Sequence, residues 1–559
     1  MLNHYKAHKK YYENGAYNFV KRIDTDPSSD SYGAIEGNPA GYHNVAEIYS
    51  YMLVNLISYY LEGTKCYRDE TFLKTAKISL DGAERYIHDD GTVDLRITNF
   101  HDPTYCGFNV RDYIGPALEV LRKYTRHTEL EDAVEAQLVS VITRMGHAME
   151  TLGFHTPNHR WVISAALSYV KHLTGDKAAG ETMDKYFWEG IDCDEYGEYT
   201  ERSTGIYNLI CNQSFLQLAH VEDMKFLEYP TRNMKLMRSF YEPNDMICTL
   251  NSMRQDRGSD IPVDNYYMIY LPLALYTGDA EFAYYSDRAL RRIMADEMKK
   301  ETPFEYLHAM IMYWFLVNDE WRTDEKYESI ESYLPDRPLD IYLPDSGIAR
   351  LYKNNATLTV LRTNTPDFFK LQSGNYSVCA RCGGSFFGLP HSQFRPKQME
   401  KTETGYRLIS REEAGYRSQF DAPPETSVWR HMDHSKRELL NVQQFDTTVD
   451  ITPKDHSVLI DVDFSGADLI PTKLELTFSP GGRVSTDGLC FTARADDYVY
   501  FKSGKMTVSY GGTVFELTGG ACAHFAADNM RGTEHVPSGT FTVCLTAITP
   551  GKLHLEIKY

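Results

Sequence analysis

No run of about eighteen apolar residues occurs in this 559-residue chain, and its opening, MLNHYKAHKKYYENG, has no apolar segment of the kind that directs secretion. The sequence therefore predicts neither a membrane span nor a leader. A cytoplasmic location is the default reading, and a secreted protein with its leader trimmed would read the same. A basic field is also missing: 58 Lys and Arg stand against 78 Asp and Glu, a net charge of -20. That balance excludes a broad nucleic-acid or anionic-membrane surface, and any acidic ligand must be met by a local cluster of Arg, His and amides. No GxxxxGK[ST], strand-linked GxGxxG or GxSxG is present, so nothing in the sequence cradles a nucleotide phosphate or forms a nucleophile elbow, and no cofactor is predicted. The ten cysteines lack a repeated spacing. Their one close pair, Cys379 and Cys382, has no second half to complete a zinc site, so all are read as reduced thiols. His431 and His434 have a spacing that suits a metal on a helix, but they fall in strand-like sequence, and no metal is predicted.

What is abundant is tyrosine, 41 residues beside 26 Phe and 5 Trp, a composition that suits stacking on sugar rings as well as ordinary interfaces. From about residue 44 to 318 apolar residues recur at three and four positions, as in VAEIYSYMLVNLISYYL and LEDAVEAQLVSVITRMGHAM. Breaks such as HDDGTVD, FHTPNH and YTGDAEF punctuate roughly ten to twelve helices. Successive hairpins of this length close more readily into an α/α toroid, or an incomplete barrel, than into one four-helix bundle. Prolines at 335, 338 and 344 then interrupt any helix, and beyond them short alternating runs such as ATLTVLRTN, KLELTFSP and TFTVCLTAI read as an antiparallel β-sandwich. The predicted class is thus an α+β multidomain chain: a toroid over 1–333, a linker over 334–346 and a sandwich over 347–559. A groove between the two domains is the expected place for an extended ligand.

Two segments of the helical half carry chemistry. In HTPNHRWVISAALSYV, Asn158, His159, Arg160 and Trp161 open a helix, where free N–H groups and the helix dipole favour an anion. The bland alternative makes Asn158 an N-cap and the rest exposed first-turn residues. In DCDEYGEYTERSTGIYNLICNQSF, an acidic turn leads through Glu201, Arg202 and Ser203 to Tyr207, with Ser203 as a helix cap and Tyr207 about one turn inside. Together they supply an amide, an imidazole and a phenol. That set suits elimination across a uronic-acid glycosidic bond: the carboxylate is neutralised, a base removes the C5 proton, and a phenol protonates the departing O4.

The order of these pieces resembles heparinase II/III-like polysaccharide lyases and the related alginate lyases. Those enzymes join an α/α toroid to a β-sandwich and show an Asn-His pair opening a helix, then a Glu-Ser-Tyr turn. Asn158-His159 and Glu201, Ser203 and Tyr207 match that pattern, with three residues between Ser203 and Tyr207 and Asn208 after the tyrosine. The resemblance implies that Asn158 holds the substrate carboxylate, that His159 neutralises it or acts as base, and that Tyr207 donates the proton. It also implies a histidine from the sandwich, for which His391 in FFGLPHSQF is the match. A β-glucuronidase branch of the same plan is the alternative. Hydrolysis would rest on Glu201 as acid with Asp102, Glu198 or Asp256 as partner, and a glycan-binding protein without chemistry is a third reading. For substrate contacts the sequence offers His101, Arg160, Trp161, Arg202, Arg254 and Arg257 in the toroid and Tyr416 in a charged, aromatic loop of the sandwich. The expected partner is a uronic-acid-containing oligo- or polysaccharide; a homodimer stays open.

Overall fold

The computed structural model describes residues 1–35, 37, 40–299, 308–363 and 365–559. It resolves into two compact units, one formed by residues 1–238 and 252–337 and the other by 239–251 and 338–559.

The first unit is helical. Its elements begin and end where local chemistry dictates. Helix Glu129–Thr151 opens on a capping box in which Thr128 and Glu131 exchange side-chain and backbone bonds. Helix Pro157–Thr174 places proline at its first turn and stops at Gly175, in the left-handed region at φ 79°. Buried faces then pack helix on helix: Val45–Tyr60 against Glu70–Glu84, Pro157–Thr174 against Tyr207–Val221, and Tyr267–Thr277 against Ala280–Glu297. The N-terminal helix His4–Val20 is fastened by buried polar groups. His4 bonds the Tyr267 hydroxyl at 2.8 Å and Asp287 at 2.9 Å, and His8 meets the same hydroxyl at 2.8 Å. Among the described residues no helix is long and apolar enough to cross a membrane.

The second unit is two sheets around one apolar core. In one, strands Gln398–Lys401, Tyr406–Arg417, Leu439–Pro453, Ser457–Gly466 and Gly551–Lys558 run antiparallel side by side. In the other, Pro471–Phe478 lies between Tyr376–Gly384 and Phe541–Ile548. Buried residues of both, including Val378, Leu474, Val449 and Leu555, share the core. The strand Tyr376–Gly384 answers the question of the CxxC pair. Cys379 and Cys382 are an odd number of residues apart on one strand, so their side chains leave opposite faces of the sheet. All ten cysteines are free thiols.

Two details differ from the sequence-based boundaries. Strand Ile341–Leu343 lies inside the span expected to be linker. Residues 239–251, expected in the toroid, cluster with the sheets instead. The physical reason is charge: Arg350, 1% exposed, donates to the Ser239 carbonyl at 2.8 Å and pairs with Glu242 at 3.3 Å. Lys370 and the Thr357 hydroxyl reach the same carboxylate. A buried carboxylate with three donors cannot leave the sheet that supplies them without a large desolvation penalty.

Burial holds several histidines neutral. It lowers His4 and, more strongly, His8, and it pushes His308 down to about 4. The unfolded chain binds protons at these sites below pH ~6.5, whereas the folded one does so only at lower pH. Stability is therefore complete above pH ~6.5 and is lost as pH falls toward 4. Urea unfolding at pH 7 and pH 5 tests this, with a clearly lower midpoint expected at pH 5; equal midpoints would refute it.

Candidate active site

The site is assembled from three loops of the helical unit. The first precedes helix Pro157–Thr174. Its N-cap residue is Thr156, and Asn158 stands inside the first turn, 1% exposed. The second is the turn between 192 and 206. Gly197 enables it at φ 96°, where a Cβ would lie 2.6 Å from the Arg232 carbonyl. Ser203 then accepts from the Tyr207 amide at 3.0 Å, and helix Tyr207–Val221 begins at Tyr207 itself rather than one turn earlier as the sequence suggested. The third is the loop 252–257. Asp256 organises it by accepting from the Ser252 hydroxyl at 2.5 Å and from the Gly205 amide at 2.9 Å, which locks the second loop to the third. The Met253 amide adds a bond to the Glu201 carbonyl at 3.1 Å. Arg257 contributes here as well, through its Nε to the Ser252 carbonyl at 2.5 Å.

These loops bring together Asn158, Glu201, Arg254 and Tyr207. Glu201 is 7% exposed, and both of its oxygens are engaged: Oε2 accepts from Asn158 Nδ2 at 2.7 Å and Oε1 from Arg254 at 2.5 Å. Burial raises its carboxyl above the usual range, while the Asn158 bond and the Arg254 charge oppose that rise. The Arg254 guanidinium lies 4.3 Å from the centre of the Tyr207 ring. Gln255 donates to the Tyr207 hydroxyl at 2.6 Å, so the phenol's own hydrogen is left for another acceptor.

Asn158 is turned differently from the expected carboxylate holder. Its amide nitrogen donates to Glu201 and to the Thr156 hydroxyl, and its buried Oδ1 accepts from no described residue. With its amide nitrogen spent on these two acceptors, Asn158 has no N–H left to hold a carboxylate. The free donors belong to Arg254, whose side chain is 24% exposed and uses one N–H on Glu201.

His159 is 8% exposed, and its Nδ1 is 3.0 Å from the Thr104 hydroxyl. Burial first, then His155 and Arg254, push it down to about 4, so the imidazole is neutral at pH 7. A neutral imidazole supplies no charge against a uronate, but it can accept a proton. Thr104 was missed in the sequence. Its signal was the Asp-Pro step before it: Asp102 caps helix Pro103–Asn109, with Pro103 in the first turn, and accepts from the Thr104 amide at 2.8 Å.

The remaining expected contacts divide. Trp161 is fully enclosed, its Nε1 bonded to Asp192 at 2.7 Å, and an enclosed indole has no face for a sugar. Arg160 lies 4.6 Å above that indole and pairs with Glu189 at 3.1 Å and Asp192 at 3.6 Å. Both residues pin the helix start instead of meeting substrate, which corrects the sequence reading. Arg202, at φ 53°, has its Nε 3.9 Å from Glu198. His101 stacks on His88 with ring centres 3.9 Å apart and bonds Asp90 at 2.8 Å. His391 and Tyr416 belong to the sheet unit. There His391 bonds Glu412 at 2.9 Å, and Tyr416, 64% exposed, packs on Phe387. Among the described residues no group of three or more His, Cys, Asp or Glu is placed to hold a metal.

No family model matches the chain, and no curated protein matches it in sequence. Its fold is similar to three solved polysaccharide lyases. One is the Paenibacillus xanthan lyase, at TM-score 0.53 and 9% identity over 99% of this chain. The chain spans 57% of that enzyme's length. Another is the Streptomyces coelicolor chondroitin AC lyase solved with chondroitin sulphate, at TM-score 0.52 and 10% identity, covering 100% of this chain and 80% of that one. The third is a mutant of heparan sulfate lyase HepC from Pedobacter heparinus, at TM-score 0.51 and 10% identity, covering 99% and 82%. At these identities the likeness is one of fold, an α+β chain with a helical unit and an antiparallel sheet unit.

Asp256 is the knot between two of the three loops. Asp256→Ala leaves the Ser252 hydroxyl and the Gly205 amide buried without their acceptor, at a cost of about 2–4 kcal/mol for the two. A thermal melt should show a loss of several degrees, and an unchanged melting temperature would mean that the loops are held by something else.

Proposed function

We propose that the protein is a polysaccharide lyase that cleaves a uronic-acid-containing glycan by β-elimination. The observation that carries this reading is the placement of one guanidinium, Arg254, between a buried carboxylate and the face of Tyr207. In this reading Glu201 is a positioning residue. It fixes Arg254 from one side and Asn158 from the other, and the remaining N–H groups of Arg254 take the uronate carboxylate. Neutralised in this way, the carboxylate lets negative charge develop at C5 and acidifies the C5 proton. His159, neutral and braced by Thr104, removes that proton when its Nδ1–H points to the threonine and Nε2 is bare. The electron pair forms the C4=C5 double bond as the C4–O4 bond breaks. Tyr207, whose oxygen accepts from Gln255, delivers its hydrogen to the departing O4.

Hydrolysis is the second reading, favoured by the raised carboxyl of Glu201. It is weaker because both Glu201 oxygens already accept from protein donors, and two of its three candidate partner acids are occupied. Asp102 caps a helix and accepts from Asn99, while Asp256 ties two loops together. A hydrolase needs one acid with a free proton and one base facing water.

Product absorbance separates the two. Elimination on an oligouronate creates a conjugated double bond that absorbs in the near ultraviolet, whereas a reducing product without that absorbance would establish hydrolysis and overturn the lyase reading. Binding with no product at all would leave a glycan-binding protein. Tyr207→Phe is expected to lower kcat by about 10²–10⁴ with little change in KM; an unimpaired variant would remove the phenol from the mechanism. The acid limb of the kcat/KM profile should lie near pH 4, where His159 gains its proton, so activity persists at pH 5 and fails below. A limb at the ordinary histidine value, ~6.5, would assign the base elsewhere.

A further inference from the structure

A second cluster in the helical unit answers to the same chemistry and has no place in the mechanism above. Arg96 stands at the tip of the small hairpin formed by strands Val93–Leu95 and Asn99–Asp102. Its guanidinium lies 4.9 Å from the Tyr86 ring centre and 6.0 Å from that of Tyr42. Among the described residues no carboxylate or carbonyl takes its N–H groups, which is notable in a chain of net charge -20. Arg85 beside it is likewise free of acids. It stacks on Tyr32 at 4.5 Å and donates to the Pro27 and Ser29 carbonyls at 2.8 and 3.4 Å.

Arg96 and Tyr86 line two adjoining hollows. One, of about 520 Å³, is completed by Tyr42, His43, Ser31 and Asp30. The other, of about 130 Å³, includes Arg85, His88 and Asp94. Asp94 is already engaged by His88 at 2.9 Å and by the His101 amide at 2.8 Å. The larger hollow therefore offers tyrosine faces, a guanidinium whose donors no described residue takes, and a carboxylate and hydroxyls that can accept from sugar hydroxyls. An acidic monosaccharide carries each complementary feature: a flat apolar face, an anion and several hydroxyls.

We propose that Tyr42, Tyr86 and Arg96 form a distal subsite that binds the acidic group of a second sugar residue of the glycan, away from the bond that is cut. This rests on the lyase reading for the identity of the glycan, and it is supported by continuity of structure. The hairpin that carries Arg96 runs into Asn99 and Asp102, bonded to each other at 2.8 Å, and Asp102 fixes Thr104, the partner of His159. A chain of sugars anchored at Arg96 would be held by the same loop that braces the base.

The test compares wild type with Arg96→Gln on glucuronate-containing di- and hexasaccharides. The KM for the hexasaccharide should rise about tenfold, the scale of one lost charge-assisted contact, with kcat unchanged and both constants for the disaccharide unmoved. An unchanged hexasaccharide KM overturns the subsite, and so does an equal rise on the disaccharide, which would place Arg96 at the scissile bond. Running the hexasaccharide with and without sulfate identifies the acid, since the form with the larger dependence on Arg96 is the one bound. Should wild type cleave neither oligosaccharide, the lyase reading fails on its own, and calorimetric titration of the hexasaccharide then decides the subsite. About tenfold weaker binding by Arg96→Gln upholds it; equal binding by both proteins, or none by wild type, overturns it.

Discussion

A carboxylate withdrawn from water and divided between an amide and a guanidinium is the constraint from which the rest of the site takes its geometry. Isolated, Glu201 would cost several kcal/mol to bury in ionised form. Asn158 and Arg254 offset that cost, and in doing so they lose the freedom to turn elsewhere. Arg254 is thereby set against Tyr207, and the asparagine amide is aimed away from any incoming acid. The arrangement also leaves Glu201 poorly placed to act as a general acid. An acid must hold a proton in a direction that the substrate can reach, and Glu201 has a protein donor on each oxygen.

Much of the architecture was legible because the two halves of the chain obey different periods. Three-four spacing over VAEIYSYMLVNLISYYL and alternation over ATLTVLRTN need no tertiary information to be told apart. The positions of Asn158 and Tyr207 near the starts of two helices were legible from the sequence. Their orientations were not. Whether an asparagine presents its N–H or its oxygen depends on who else is within reach, and Glu201 lies 43 residues away in sequence.

Trp161 shows the same limit from the other side. Next to His159 and Arg160 it read as a sugar platform, but a helix rotates neighbouring residues by about a quarter turn each, and the adjacent face of this helix is core. Adjacency in a helical sequence separates side chains as effectively as distance does. In the third loop, Arg254 was legible as a substrate contact and Asp256 as a candidate acid, but not what either would hold within the protein. Nothing local says that the Asp256 carboxylate will close on Gly205.

The excursion of residues 239–251 has a consequence for how such a chain can be inherited. Because the polypeptide passes from the helical unit into the sheet unit, returns, and crosses again after residue 337, the two are joined at three points of the backbone and not at one. Neither half is a contiguous cassette. A gene fragment ending at the third crossing would carry Glu242 without Arg350 and Lys370, and a fragment starting there would carry two cations without their anion. Recombination that shuffles modules at linkers would therefore be selected against here, and the pair should travel through evolution as one indivisible gene segment.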